Sequence, residues 1–547
     1  MKKIIELVKP YFERQAVRLL FYIILCLGSS ALSFASPYIT GNFIDELIVS
    51  ENGSFLYKYC TLYLALFIIS SVINYISGIS YVRLQMGAGY NFNADVVSHI
   101  HRIDPILLEK MDTSYLSQQI NNDTNELVIF VLTFAQNIIA NICTFIIPAY
   151  LLSKISIKLT MLILGSTIVY GIIYFLFKDK VSAFNREFKE AQARYFSRLH
   201  EQLRYSDFIR RHAISDWFLK RLKLAFKELI AAAIKSRKLG IYISLSNGFI
   251  LVMLQIALFF IGGMAIVNGE LMVGQFTIFS AYFSMMTTSI TYFATIGKTI
   301  QESLVSYGRI KRILDIPECM SGNIKLETID HISIKGLSFS YGKDNVLNEI
   351  DCEFEKGKIY IIRGDNGSGK TTFINLLAGM YSGTYEQSIA IDGVRMDHVD
   401  LDYYRNHLVA FAEQNTPLIA GTLADNIALD RKYDFADVRI HKLERMFSLD
   451  NISNHTPDVY KVNINDKNSN ISGGEKQKIA LIRAFMKDAP MMIFDEPTSA
   501  LDAGSRKEFC EYIQKVKKDK IIIIVTHDEY LMACGDVILS LSDSVIV

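Results

Sequence analysis

The sequence predicts a multi-domain membrane protein: an all-α membrane domain of six helices, then a soluble α/β domain built around a phosphate-holding loop. Two observations carry this. Six mostly apolar stretches contain no Asp, Glu, Lys or Arg, and all lie before residue 300; a membrane helix needs about 20 such residues. Beyond residue 330, short apolar strands alternate with helices, and the strand KIYIIR runs into GDNGSGKTT. That loop has the form GxxxxGK followed by Ser or Thr, between a strand and a helix, as phosphate binding requires.

Length and charge set the outer bounds. A chain of 547 residues is too long for one core and implies two or more domains. Lys and Arg number 57 against 56 Asp and Glu, a net charge of +1. Whole-chain electrostatics therefore favour no nucleic-acid partner. Cys26, Cys60, Cys143, Cys319, Cys352, Cys510 and Cys534 are scattered without CxxC spacing. No disulfide framework and no cysteine metal site are expected, and the soluble part belongs in a reducing compartment.

The expected spans are 19–39, 59–82, 127–153, 159–177, 239–267 and 273–296. The first follows MKKIIELVKP, as a signal peptide would, but it is long enough to span and five more runs follow. It is read as an uncleaved helix. Basic residues crowd the segments between spans two and three (Arg83, His99, His101, Arg102, Lys110) and between spans four and five (Lys178 to Arg211). By the positive-inside rule these segments are cytoplasmic, as are both termini. The N-terminal KKIIELVKPYF has apolar residues at helical spacing and is expected along the inner interface until Pro10 turns it. The two basic segments are poor in Gly and Pro and read as helices continuing out of the membrane. Polar residues within the spans (Asn74, Gln136, Asn137, Asn141, Asn247, Gln255) are uncharged and expected to bond between helices. No intramembrane acid suggests ion coupling. The domain boundaries are 1–315 for the membrane domain, 316–329 for a linker and 330–547 for the soluble domain.

In the soluble domain, Gly364, Asp365, Asn366, Gly367, Ser368, Gly369, Lys370, Thr371 and Thr372 form the loop. Its backbone N–H groups and the following helix N-terminus suit an anion. Lys370 supplies a point charge for the outer phosphates, and Thr371 a hydroxyl for Mg²⁺. The strand MMIFDE ends in Asp495, a candidate Mg²⁺ ligand, and Glu496, a candidate general base for water. His527 ends the strand IIIIVT, where it can sense the terminal phosphate. A second anion-binding helix start, ISGGE, carries Ser472, Gly473 and Gly474.

With these motifs in view, the chain resembles an ABC transporter of the exporter type: a half-molecule with six membrane helices fused to one nucleotide-binding domain. ISGGE resembles the family signature LSGGQ, with Glu475 in place of Gln and Ile471 in place of Leu. Gln414 in AFAEQNTPLIAGTLADNI matches the glutamine linking nucleotide, Mg²⁺ and membrane domain. Ser499, Ala500, Leu501 and Asp502 match the loop that crosses between partner domains, His527 the switch histidine, and Tyr341 the aromatic that stacks on adenine. The resemblance implies that Ser472, Gly473, Gly474 and Glu475 act on an ATP held by a second half-transporter, identical or different. It implies ATP and Mg²⁺ as cofactors, a multi-pass location in the cytoplasmic membrane, and ATP-driven export of a hydrophobic, amphipathic or peptide substrate. Short cross-helices near 111–116 and 206–209 are then expected to dock beside the Gln414 loop. The stretch VNINDKNSN is a poor match to the family's coupling segment. A soluble chromosome-maintenance ATPase shares the loop and signature, but six spans exclude it. Import on the same fold, and an ATP-gated channel, are the competing readings.

Overall fold

The computed structural model describes residues 1–546 except 51–52, 110–112, 156, 320, 342–343, 382, 430, 434, 436, 449–458, 465–470, 500 and 543–544. Its contacts divide it into two units, Met1–Ser98 with Ser114–Asp315, and His99–Thr113 with Ile316–Val547.

The first unit is helical. It holds α1 (Lys2–Glu13), α2 (Ala16–Val49), most of α3 (Ser54–His101), α5 (Thr113–Ile155), α6 (Ile157–Arg204), α7 (Ser206–Arg211), α8 (Ser215–Val267) and α9 (Val273–Leu314); α4 (Pro105–Glu109) falls in the second unit. The expected spans fall, in order, inside α2, α3, α5, α6, α8 and α9. Among the described residues, four helices are long and apolar enough to cross a membrane by length and composition: Ala16–Val49, Ser54–His101, Ile120–Lys154 and Ser215–Val267. The start of α9 is rich in Ser and Thr, which lowers its hydropathy, and several side chains of 159–177 lie outside the described residues.

Helix α1 does not stop at Pro10 but continues to Glu13. Its buried residues Ile4, Val8 and Phe12 form a stripe at i, i+4 and i+8. Burying Phe12 on that stripe, with Tyr11 stacked on Phe92 at 4.7 Å, offsets the hydrogen bond that proline removes. Helices α3 and α6 each run 48 residues and α8 runs 53. At about 1.5 Å per residue each exceeds the hydrocarbon core of a bilayer, about 30 Å, more than twofold.

Helices α6 and α8 pack along one another, as do α2 and α9. The α2–α9 approach depends on glycine: a Cβ on Gly274 would sit 2.0 Å from the Gly41 carbonyl oxygen. The Gly274 N–H donates to Asp45 Oδ1 at 2.6 Å, and the Tyr282 hydroxyl to the Phe34 carbonyl at 2.8 Å. Small residues let helix backbones touch where lipid offers no hydrophobic drive. Intramembrane polar groups bond within the helices and across them. Tyr22 donates to Gln136 at 2.5 Å and Ser29 to Asn74 at 2.9 Å, while Asn141 bonds the Asn137 carbonyl of its own helix.

The second unit is α/β. Strands β1 (His331–Tyr341) and β2 (Asp344–Glu355) pair antiparallel and join β4 (Ile389–Ile391) and β5 (Val394–Arg395) in one sheet. The main sheet contains β3 (Ile359–Arg363), β6 (Val409–Ala412), β9 (Met491–Asp495), β10 (Ile521–Val525), β11 (Val537–Ser542) and β12 (Val545–Ile546), in the order β12-β11-β3-β10-β9-β6. All neighbours pair in parallel except β11 with β12. Strand β10, IIIIV, is buried throughout, as expected of a parallel strand covered on both faces. Around these strands lie α10 (Lys370–Leu377), α11 (Leu401–Tyr403), α12 (Leu423–Ala428), α13 (Val438–Met446), α14 (Gly473–Lys487), α15 (Ala503–Val516) and α16 (Glu529–Met532), with β7 (Gly421–Thr422) paired to β8 (Asn463–Ile464).

The second expected cross-helix corresponds to α7. The first expected one, 111–116, begins outside the described residues, and from Thr113 the chain is already in α5. A short helix instead occupies Pro105–Glu109. Asp104 Oδ1 accepts from the Ile106 N–H at 2.8 Å, and Pro105 takes the first helical position, where its missing N–H costs nothing.

Candidate nucleotide site

In an open parallel sheet, ligands bind outside the carboxyl ends of the strands. Four functional segments leave the main sheet at that edge: the glycine-rich loop after β3, Gln414 after β6, Asp495 and Glu496 at the end of β9, and His527 after β10.

The glycine-rich loop needs its glycines. Gly367 and Gly369 have φ of +87° and +95°, where a Cβ is strained. A Cβ on Gly369 would also lie 2.8 Å from Leu347, and one on Gly364 2.1 Å from the Leu541 carbonyl oxygen. Lys370 opens α10 and is buried; its Nζ donates to the carbonyls of Gly364 at 2.6 Å and Asp365 at 2.9 Å. The ammonium thus ties the loop into a cradle, with Asn366 between the residues it spans. Ser368 Oγ is buried with no hydrogen-bond partner in the described structure. An orphaned buried hydroxyl in a glycine-rich loop fits a phosphate oxygen.

Thr371 Oγ1 donates to Asp495 Oδ2 at 3.2 Å. Burial pushes the Asp495 carboxyl above its ordinary value, opposed by the Thr371 hydroxyl and the Lys370 charge. Glu496 has φ +48°, a non-glycine backbone strain worth about 1–3 kcal/mol that concentrates at active sites. Its N–H donates to the Val525 carbonyl at 2.9 Å, and its Oε1 lies 3.9 Å from His527 Nε2. Burial raises the Glu496 carboxyl; His527 draws it down and Asp495 pushes it up. A carboxylate held above its usual range suits a general base. His527 is half exposed. Gln414 is exposed in the loop after β6, next to Glu413, whose carboxyl burial also raises.

The Tyr341 hydroxyl sits 3.3 Å from Thr372 Oγ1 and donates to the Tyr381 hydroxyl at 3.1 Å. That places an aromatic side chain beside the phosphate loop.

The signature opens α14. Ser472 caps the helix, its Oγ accepting from the Glu475 N–H at 3.3 Å. Glu475 Oε2 accepts in return from the Ser472 N–H at 2.7 Å and from its hydroxyl at 2.8 Å. This is a capping box, and it gives the unusual glutamate a local task. Ser472 and Gly473 are exposed, Gly474 is half-buried, and a Cβ on Gly473 would meet nothing within 4 Å.

Ser499 Oγ donates to Gln477 Oε1 at 3.2 Å. Leu501 is buried, and Asp502 caps α15 by accepting from Ser505 N–H at 2.8 Å. Those bonds hold the Asp502 carboxyl below its usual range. Ala500 lies outside the described residues, as do 465–470 of the poorly matching VNINDKNSN stretch.

Two functional residues escaped sequence reasoning. Gln477, buried on α14, donates through Nε2 to the Glu496 carbonyl while accepting from Ser499. It connects α14 to the backbone of Glu496. Asp528 accepts from Thr498 Oγ1 at 3.1 Å and Arg506 Nη1 at 3.3 Å, and caps α16. A glutamine at a buried register of QKIALIRAF and an acid directly after His527 were the available signals.

A phosphate cradle, a hydroxyl–carboxylate pair and a strained basic carboxylate at one sheet edge define a P-loop ATPase, and it shares its chain with a helical membrane unit. The sequence matches the ABC transporter transmembrane region family over residues 19–290 and the ABC transporter family over residues 347–499. It is 24% identical to a putative multidrug export ATP-binding/permease protein, YgaD, of Bacillus subtilis, covering 100% of this chain and 95% of that protein. It is also 24% identical to the microcin-J25 export protein McjD of Escherichia coli (95% and 90% covered) and to the ATP-dependent lipid A-core flippase of Desulfotalea psychrophila (91% and 87%). The structure of a bacterial Atm1-family ABC exporter with ATP bound superposes with a TM-score of 0.83 at 18% identity, covering 98% of this chain and 94% of that one. The chain belongs to the ABC transporter family as an exporter-type half-transporter, an ATPase coupled to transport.

Proposed function

We propose that two such half-transporters clamp face to face, each ATP held by the phosphate loop of one chain and capped by the signature of the other. The observation that carries this reading is the exposed start of α14, with Ser472 and Gly473 open to solvent and the space before Gly473 empty. Within one half-site, Lys370 and the loop N–H groups hold phosphate and Tyr341 lies where adenine would stack. Glu496 accepts the proton of the attacking water, and His527 steadies that carboxylate. Thr371, Asp495 and Gln414 are the residues that would hold Mg²⁺, which neutralises phosphate charge when bound.

Closing and opening of the clamp drives the helices. The loops α3–α5 and α6–α8 are the coupling elements, and α7 is the second cross-helix. A cavity of about 340 Å³ beside the Gln414 loop, lined by Phe411, Pro417, Tyr433, Arg431, Arg483 and Lys487, is a receptor for such an element. All six apolar stretches span, with both termini and the ATPase domain on the cytoplasmic side of the cell membrane. The cargo is hydrophobic, amphipathic or peptidic, in keeping with relatives named for multidrug, lipid A-core and microcin export.

Mixing tests the shared site. Lys370→Ala and Ser472→Ala chains, each inactive alone, regain turnover when co-assembled, because one of the two composite sites is then intact. If loop and signature served the same chain's ATP, the mixture would stay dead. A purified wild-type chain with no turnover at all identifies a different half as its partner. Cargo follows from ATPase stimulation in lipid by drugs, lipids and peptides, and direction from uptake into inside-out vesicles.

A further inference from the structure

The segment His99–Thr113 belongs by its contacts to the nucleotide unit, although α3 up to Ser98 and α5 from Ser114 lie in the membrane unit. Glu318, in the linker after α9, gathers that segment. Arg102 grips both of its oxygens, Nε to Oε2 at 2.8 Å and Nη2 to Oε1 at 2.9 Å. His99 Nδ1 lies 2.7 Å from Oε1. The backbone reinforces the contact: Cys319 N–H donates to the Arg102 carbonyl at 2.7 Å, and Ile103 bridges Glu318 antiparallel. Ile103 is buried, and Ile106 packs against the core of the nucleotide unit. The Arg102 guanidinium, then His99, hold the Glu318 carboxyl down to about 2, so it stays ionised at any physiological pH.

We infer that Glu318 is a positioning residue that clips the first cytoplasmic loop to the linker of its own chain, passing ATP-driven movement of the nucleotide unit into α3 and α5. The inference rests on the transport cycle proposed above. A planar fork on a carboxylate fixes direction as well as distance. An ion pair this exposed contributes little to folding, so its value lies in geometry.

The test uses the full chain in lipid nanodiscs, in a Glu496→Gln background that holds ATP, read by hydrogen exchange with and without ATP. With Glu318 present, ATP alters exchange at the cytoplasmic ends of α3 (83–98) and α5 (114–126). Adding Glu318→Ala is expected to speed exchange of 99–109 at least tenfold and to cut the ATP response of both helix ends at least fivefold, with nucleotide binding unchanged. The swap Arg102→Glu with Glu318→Arg restores both readouts. An ATP response that survives Glu318→Ala overturns the clip and leaves the transport reading standing. A response lost but not restored by the swap, with nucleotide still bound, also overturns it. No ATP response even with Glu318 in place overturns the transport reading itself.

Discussion

The Glu496→Gln chain will bind ATP as the parent does and turn it over at least about 100-fold more slowly, the lower end of what a general base contributes. The amide has the shape of the carboxylate, so the φ of +48° and the N–H bond to Val525 are retained. What disappears is the capacity to accept a proton from water. Phosphate release measures the loss, and nucleotide retained after gel filtration shows that the fold and cradle survive. Steady turnover within a few-fold of the parent would remove Glu496 from the mechanism. The parent's pH profile carries a linked expectation. Burial lifts the Glu496 carboxyl above its ordinary value, and His527 only partly offsets this. A base works ionised, so turnover falls as pH drops through the raised value. The acid limb should therefore lie above the ordinary range of glutamate, near pH 4.3, and disappear with the residual activity of the glutamine variant.

The placement of the candidate site residues was legible wherever it depends on local spacing. The phosphate loop announces itself because its glycines, Lys370 and Thr371 must sit at fixed offsets, and the structure gives each a local reason in φ or in contact. The acids at the end of MMIFDE and the histidine after IIIIVT were readable for the same reason, since strand ends project onto one sheet edge. Spacing failed where packing decides. Pro10 read as a stop, yet the burial of Phe12 carries α1 through it. The Asp104–Pro105 start of α4 is a good cap signal hidden in a charged segment, and it places the first short helix earlier than expected. Partners far apart in sequence were invisible: Arg102 and Glu318 are 216 residues apart, and Asp123 and Arg309 are 186 apart. No periodicity within either segment hints at the other. Gln477 is a related case, because only the fold reveals that a buried amide on α14 touches the backbone of Glu496.

Arg309→Met will destabilise the membrane unit by about 3–5 kcal/mol, the cost of leaving a buried charge without its partner. Asp123, on α5, is 2% exposed at its side chain. It accepts from Arg309 Nε at 2.7 Å and from Nη2 at 2.5 Å, across to α9. The same guanidinium reaches Ser306 Oγ at 3.3 Å, and Ser306 donates to Glu126 at 2.9 Å. Methionine keeps the apolar stem of arginine but lacks the guanidinium and cannot neutralise Asp123. The loss should lower the thermal unfolding midpoint in detergent by several degrees, scaled from domains of comparable size. The double variant Asp123→Leu with Arg309→Met should recover most of it, because an apolar pair of similar volume often replaces a buried ion pair without penalty. The two outcomes separate stability from function. If the double variant regains its midpoint but not its transport, the pair serves direction between α5 and α9. If it regains both, the pair serves only to hold the helices together. A single variant that melts with the parent would mean that water or another group reaches Asp123, and that the joint between α5 and α9 does not depend on this charge.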